Sequence, residues 1–313
     1  MIEVHGLTKT YGEKTAVADL NFVVRPGMVT GFLGPNGAGK STTMRMIVGL
    51  DAPTSGTVTV NGRRYAELDA PLHEIGALLE AKAVHSGRSA RNHLLALAAT
   101  HGLGRRRVEE VIDLVGLRQV AGKRAGAFSL GMGQRLGIAS ALLGDPRILM
   151  LDEPVNGLDP DGVLWVRHLL RELAGQGRTV FLSSHLMSEM ALTADHLIVI
   201  GRGRLIRDMS LEEFIADAGT SWVRVRSPQA AALRELLLGP GVTVTSTQRD
   251  VLRVQGVPAE QIGTRAAAEG LTLHELSSVE PSLEEAYMQI TKDAVEYRGP
   301  DVDQPATDLR TAA

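Results

Sequence analysis

Gly34-Pro35-Asn36-Gly37-Ala38-Gly39-Lys40-Ser41-Thr42 matches the pattern G-x-x-x-x-G-K-[ST]. It follows the apolar run Met28-Val29-Thr30-Gly31-Phe32-Leu33, which reads as a buried strand, and a run of helix formers from Ser41 to Leu50 comes next. Strand, glycine-rich loop and helix in that order are what a phosphate-cradling loop requires. Its glycines permit positive φ and close approach, so backbone N–H groups can face phosphate oxygens. Lys40 would then place a point charge at the β- and γ-phosphates and Ser41 a hydroxyl at Mg²⁺, with the positive end of the helix turned to the anion. The competing reading is a glycine-rich turn that caps a helix and binds nothing.

A chain of 313 residues has room for one large or two modest domains, and 44% hydrophobic content supplies a core, which excludes disorder throughout. With 33 basic and 36 acidic side chains the net charge is −3, so no strong field draws the molecule to nucleic acid or to an anionic membrane. Cysteine is absent, which excludes disulfides, thiolate catalysis and cysteine-ligated metals. The start, Met1-Ile2-Glu3-Val4-His5, lacks the basic and apolar regions of a signal peptide, and no apolar run of about 18 residues occurs. The chain is expected to be soluble and to reach a membrane only through a partner.

Ile2 to Leu7 and Ala18 to Val24 alternate as strands of an antiparallel patch, separated by the turn residues Thr10, Gly12 and Glu13. Tyr11 falls in that loop, where it could stack on a flat base or cover a sheet edge. Thr57 to Val60 reads as a strand closed by the hairpin signal Asn61-Gly62. Ile75 to Leu79 is a short apolar run ending at Glu80. From Asn92 to Gly144 the spacing becomes helical, which predicts a helical insertion between sheet strands. Within it Arg105-Arg106-Arg107 reads as a solvated helix start, and His85, His93 and His101 as surface histidines with no carboxylate to complete a metal site.

Arg147-Ile148-Leu149-Met150-Leu151-Asp152-Glu153 sets two carboxylates at the end of an apolar strand, the edge at which open α/β sheets bind ligands. Beside a phosphate loop this pair fits a Mg²⁺-holding aspartate followed by a catalytic base. Thr179 to Ser183 is another buried strand, ending at Ser184-His185. One sheet edge would thus gather Lys40, Ser41, Asp152, Glu153 and His185.

From Met1 to about Ser210 the chain resembles the nucleotide-binding subunit of ATP-binding cassette (ABC) transporters. The resemblance rests on Tyr11, Gly34 to Thr42, Phe128-Ser129-Leu130-Gly131-Met132, Ile148 to Glu153, Asn156-Gly157-Leu158-Asp159 and Ser184-His185 in that order. It implies a P-loop α/β fold with a mixed-sheet core, an antiparallel subdomain and a helical subdomain at about residues 87–144. It further implies that Tyr11 stacks on adenine, that Gly34 to Thr42 hold the triphosphate of ATP, and that Asp152 orients hydrated Mg²⁺. Glu153 would polarise the attacking water, His185 would contact the γ-phosphate, and Asp159 would lie at the interface with a second cassette. Ser129 and Gly131 would open a helix facing the γ-phosphate held by the opposite subunit. The implied partners are a second copy, as a homodimer, and a transmembrane permease, with the chain peripheral at the cytoplasmic face of the membrane.

Leu130 and Met132 stand where glycine and glutamine are commonest, and Glu80, a metal contact by resemblance, stands where glutamine is usual. These variants resemble exporter-type subunits of the drug and antibiotic class. A soluble cassette acting on ribosomes or DNA is the alternative, opposed by the single cassette and the absence of a basic field. An unrelated P-loop kinase or GTPase would leave Ser129-x-Gly131 and His185 unexplained.

With the cassette assigned to residues 1–215, the stretch 220–291 reads as a small ferredoxin-like α+β accessory domain. The predicted elements are a strand at Trp222 to Arg226, a helix at Gln229 to Leu238, and strands at Val242 to Thr245 and Val251 to Gln255. A helix at Pro258 to Glu269 and a strand at Leu271 to Leu276 complete it. It carries no catalytic motif and is expected to stabilise a dimer or to regulate. A final helix is expected at Ser282 to Thr291, and residues 292–313 as a disordered tail.

Overall fold

The computed structural model describes residues 1–80, 84–217, 221–280 and 282–291, so the expected tail at 292–313 lies outside the described residues. The chain divides into two compact units, one built on residues 1–211 and the other on residues 212–289. In order, the first contains β1 (Ile2–Tyr11), β2 (Lys14–Val24), β3 (Val29–Leu33), α1 (Lys40–Ile47), β4 (Ser55–Val60), α2 (Pro71–Glu74) and β5 (Ile75–Leu78). The helices α3 (Ala90–Thr100), α4 (Arg105–Leu114) and α5 (Leu130–Leu142) follow. Then come β6 (Ile148–Asp152), α6 (Pro160–Gly175), β7 (Thr179–Ser183), α7 (Met187–Thr193), β8 (His196–Gly201) and β9 (Arg204–Ser210).

Six strands form one sheet in the order β5-β6-β7-β3-β8-β9, parallel except for the antiparallel edge strand β9. Every residue of β3 and of β7 is buried, as a parallel strand covered on both faces demands. A second sheet, β2-β1-β4, is antiparallel. Phe22 of this sheet packs on Phe32 at 5.8 Å and Phe181 at 6.1 Å between ring centroids, and the latter two meet at 5.1 Å with their rings tilted by 35°. This aromatic trio joins the antiparallel sheet to the parallel one through a common core that also holds Ile2, Val4, Met44 and Ile198.

Several expectations need correction. The β1 and β2 ladder runs to Tyr11 opposite Lys14, so Tyr11 ends a strand and only Gly12, at φ 57°, and Glu13 form the turn. Asn61 and Gly62 do make a positive-φ turn, yet it closes only a bridge between Val60 and Arg63, because β4 pairs with β1 instead of a following strand. Arg107 is only partly solvated: its guanidinium donates to the carbonyls of Leu142 at 2.7 Å and Leu143 at 3.0 Å, closing the end of α5. His85 and His101 are exposed as expected, whereas His93 is half-buried and its Nδ1 is buried without a partner. Burial lowers the pKa of His93 from its usual value.

After α8 (Leu211–Asp217), the second unit runs β10 (Trp222–Arg226), α9 (Ala230–Leu237), β11 (Thr243–Gln248), β12 (Val251–Gln255), α10 (Ala259–Ala268), β13 (Glu275–Val279) and α11 (Leu283–Thr291). Its sheet is antiparallel in the order β11-β12-β10-β13, with Leu233, Leu237, Ile262 and Ala266 of the two helices packed on Val223, Val225, Leu252 and Val254. The last strand starts four residues later than predicted. Side chains hold the preceding stretch off the ladder: Gln229 Oε1 accepts from the Thr272 N–H at 3.0 Å, and the Ser227 hydroxyl donates to the Thr272 carbonyl at 2.7 Å.

Candidate nucleotide-binding site

At the carboxyl edge of the parallel sheet lies a cleft of about 720 Å³. Asn36 to Thr42 form its floor, Asp152 and Glu153 line it from the end of β6, and Tyr11, Lys14, Thr15, Ala16 and Arg202 complete the wall. The loop conformation is specific to glycine at its turning point: Gly39 has φ +102°, and a Cβ there would stand 2.6 Å from the Ala16 carbonyl. Gly39 then caps α1 without a side-chain bond, and the first turn of that helix carries no acidic residue. Its positive end is thus left for an anion.

Gly34 and Pro35 do not line the cleft, but their carbonyls meet a residue that does. They accept from Lys40 Nζ at 2.5 and 3.3 Å, which holds the ammonium under the loop. Burial lowers the pKa of Lys40 from the usual lysine value, with Glu153 and then Asp152 pulling it back up. Next along the helix, the Ser41 hydroxyl donates to Asp152 Oδ2 at 2.8 Å. Ser183 donates to the other oxygen of Asp152 and accepts the Glu153 N–H at 3.0 Å. His185 Nδ1 meets Glu153 Oε2 at 2.7 Å, and Glu153 itself sits at φ 52°, in the left-handed region. For a residue with a side chain that conformation costs on the order of 1–2 kcal/mol, so surrounding contacts must hold it.

Tyr11 is 48% exposed, and its hydroxyl donates to Asp51 Oδ2 at 3.1 Å. Asp51 is held by Arg45 at 2.8 Å, and Lys9 Nζ stands 4.9 Å from the ring centroid. The sequence reading missed these supports, and it also missed Ser183 and Gln134. Ser183 directly precedes the Ser184-His185 pair and Gln134 lies five residues past Ser129, but only the fold shows which atoms they reach.

His185, Ser129, Gly131, Asp159 and Glu80 do not line this cleft, and His185 joins it only through its bond to Glu153. Ser129 is the exposed N-cap of α5, its Oγ accepting from the Met132 N–H at 3.2 Å, and Gly131 is the second residue of that helix. Asp159 caps α6 by accepting from the Gly162 N–H at 2.9 Å. Glu80 is exposed and lines a separate groove with Arg45, Tyr65 and His93.

Residues 17–156 match the ABC transporter family model. A bacitracin transport ATP-binding protein of Bacillus licheniformis is 42% identical over 215 residues, covering 68% of this chain and 70% of that protein. The chain belongs to the ABC transporter family. An uncharacterized ABC transporter ATP-binding protein of Bacillus subtilis is 34% identical over 95% of this ABC chain and 97% of its own length. A cassette solved as a dimer in a post-hydrolysis state with ADP and Pi superposes with a TM-score of 0.62 and 26% identity, covering 67% of this chain and 99% of that one. Residues 221–284 match a family described as a domain of unknown function.

As an ABC ATPase the chain binds and hydrolyses ATP and uses Mg²⁺. The donor set fits that metal, since it is made of oxygens. Within the cleft Ser41 and Asp152 set a hydroxyl and a carboxylate side by side. Mg²⁺ characteristically takes one or two protein oxygens and completes its shell with substrate phosphates and water.

Proposed function

We propose that two copies of this chain close around ATP and thereby drive a separate transmembrane permease that exports a peptide antibiotic of the bacitracin kind. Ser41 and Asp152 hold the metal, which neutralises phosphate charge when bound. Lys40 and the loop N–H groups bind the β- and γ-phosphates, and Tyr11 presents its ring to the base. Glu153 takes the proton of the attacking water as the bond from the β–γ bridging oxygen to the γ-phosphorus breaks and that oxygen leaves with ADP. His185, already bonded to Glu153 Oε2, orients that carboxylate and reaches the γ-phosphate.

One observation supports the shared site: the cleft holds the phosphate loop and both carboxylates, while Ser129 lies outside it at the exposed start of α5. A helix start of that kind binds an anion brought to it from elsewhere. A second copy provides that anion, so ATP bridges the pair and its hydrolysis separates them. Among the described residues no helix is long and apolar enough to cross a membrane, which agrees with a peripheral position on the permease at the cytoplasmic face. The relative from Bacillus licheniformis supports the cargo class.

The test is Glu153→Gln. It should retain ATP affinity, lose roughly 10²–10⁴-fold in turnover, and elute as a dimer with ATP and Mg²⁺ but as a monomer with ADP. A variant that hydrolyses at the wild-type rate, or that stays monomeric at saturating ATP, would defeat the proposal.

A further inference from the structure

We infer that Gln134 is a positioning residue for ATP hydrolysis, acting through the backbone of Glu153; this rests on Glu153 being the group that activates the attacking water. Gln134 is the fifth residue of α5 and only 3% exposed. Its Nε2 donates to the Glu153 carbonyl at 3.0 Å, and that oxygen also accepts the Asn156 N–H at 3.2 Å. A buried side-chain amide is expensive to leave unpaired, so its placement against one carbonyl is a tight constraint on both partners.

That carbonyl belongs to a residue held in an unfavourable conformation. At φ 52° Glu153 would relax toward ordinary backbone if released. Ser183 Oγ fixes its N–H side, His185 its carboxylate, and Gln134 its carbonyl side. The three supports come from different places: β7, the turn after it, and the helical insertion. Removing Gln134 leaves the carbonyl with the Asn156 N–H alone, a bond within the same turn that moves with it. The peptide after Glu153 can then rotate and carry the carboxylate away from the line of attack. A displacement of about 1 Å at a reacting group costs on the order of 10²-fold in rate, while the phosphate loop, Lys40 and Tyr11 are untouched.

The experiment compares wild type, Gln134→Met, Glu153→Gln and the double variant as full-length protein, measuring ATP affinity by calorimetry and steady-state kcat and KM with Mg²⁺. Methionine keeps the volume and removes the donor. The expected result for Gln134→Met is a kcat lowered roughly 10- to 100-fold, with affinity and KM unchanged. On the Glu153→Gln background the same substitution should lower residual turnover no further, because both act through one carboxylate. An unchanged kcat, an equal loss of affinity and rate, or full additivity in the double variant overturns the inference. Should Gln134→Met not fold, Gln134→Leu also removes the donor without burying a charge, and the same outcomes apply. Wild-type turnover in Glu153→Gln removes the base assignment and this inference together; an inactive Glu153→Gln beside a fully active Gln134→Met removes this inference alone.

Discussion

Ser41 and Asp152 stand 111 residues apart in the chain, and a 2.8 Å hydrogen bond joins the hydroxyl of one to the carboxylate of the other. Parallel pairing of β6 with β7 and of β7 with β3 brings their carboxyl ends into line, and the two side chains meet at that common edge. In the proposed function these two oxygens would both turn to a cation carrying its own phosphate ligands.

Asp152→Asn therefore keeps the hydrogen-bonding shape and loses the charge. Half-saturating Mg²⁺ for ATP hydrolysis should rise roughly 10- to 100-fold, the scale of losing a group that supports a metal site. A Mg²⁺ titration of turnover at saturating ATP measures it, and an unchanged requirement would take Asp152 out of the metal site.

Lys40 gives a pH signature. Its pKa in the free protein is below the ordinary lysine value of 10.5 because of burial, and a bound triphosphate stabilises the charged form and raises it again. Between those two values binding takes up a proton, so ATP affinity falls as pH rises through the lowered pKa. Lys40→Arg stays charged throughout and should bind without that alkaline limb. Nucleotide titrations across the alkaline range check both, and identical profiles would contradict the account.

Gly76 tests the seat of α5. A Cβ there would stand 1.8 Å from the Ala141 carbonyl, where backbone meets backbone and no side chain can yield. Gly76→Ala should destabilise the protein by about 1–3 kcal/mol or more, read from chemical denaturation. Unaltered stability would mean that β5 and α5 are not packed this closely.

Ending the chain after Ser210 removes the second unit. Every residue lining the cleft lies at or before Arg202, so ATP affinity should stay within a factor of about three, under ~0.7 kcal/mol. Loss of binding in a folded, truncated protein would show that the carboxyl-terminal part completes the site.

Much of this was legible in the chain itself, because local chemistry speaks through short-range pattern. Gly34 to Thr42 announces a phosphate loop since only glycines allow its backbone, and the apolar runs ending at Asp152 and Ser183 announce buried strands by their composition. The order of elements from Trp222 to Val279 was visible for the same reason, although the last strand was displaced by side-chain bonds from Gln229 and Ser227 that no periodicity records.

Local pattern could not say which distant atoms meet. Gln134 looks like any polar helix residue until the fold buries it on the Glu153 carbonyl, Ser183 like a strand terminus until it bridges Asp152 and Glu153, and Arg107 like a surface charge until it closes α5. Sequence alone determined the chemistry available, since residue type sets charge, donor count and backbone freedom. Tertiary structure alone decided where that chemistry is held and by what, since hydrogen bonds act over about 3 Å and only folding brings such separated groups that close.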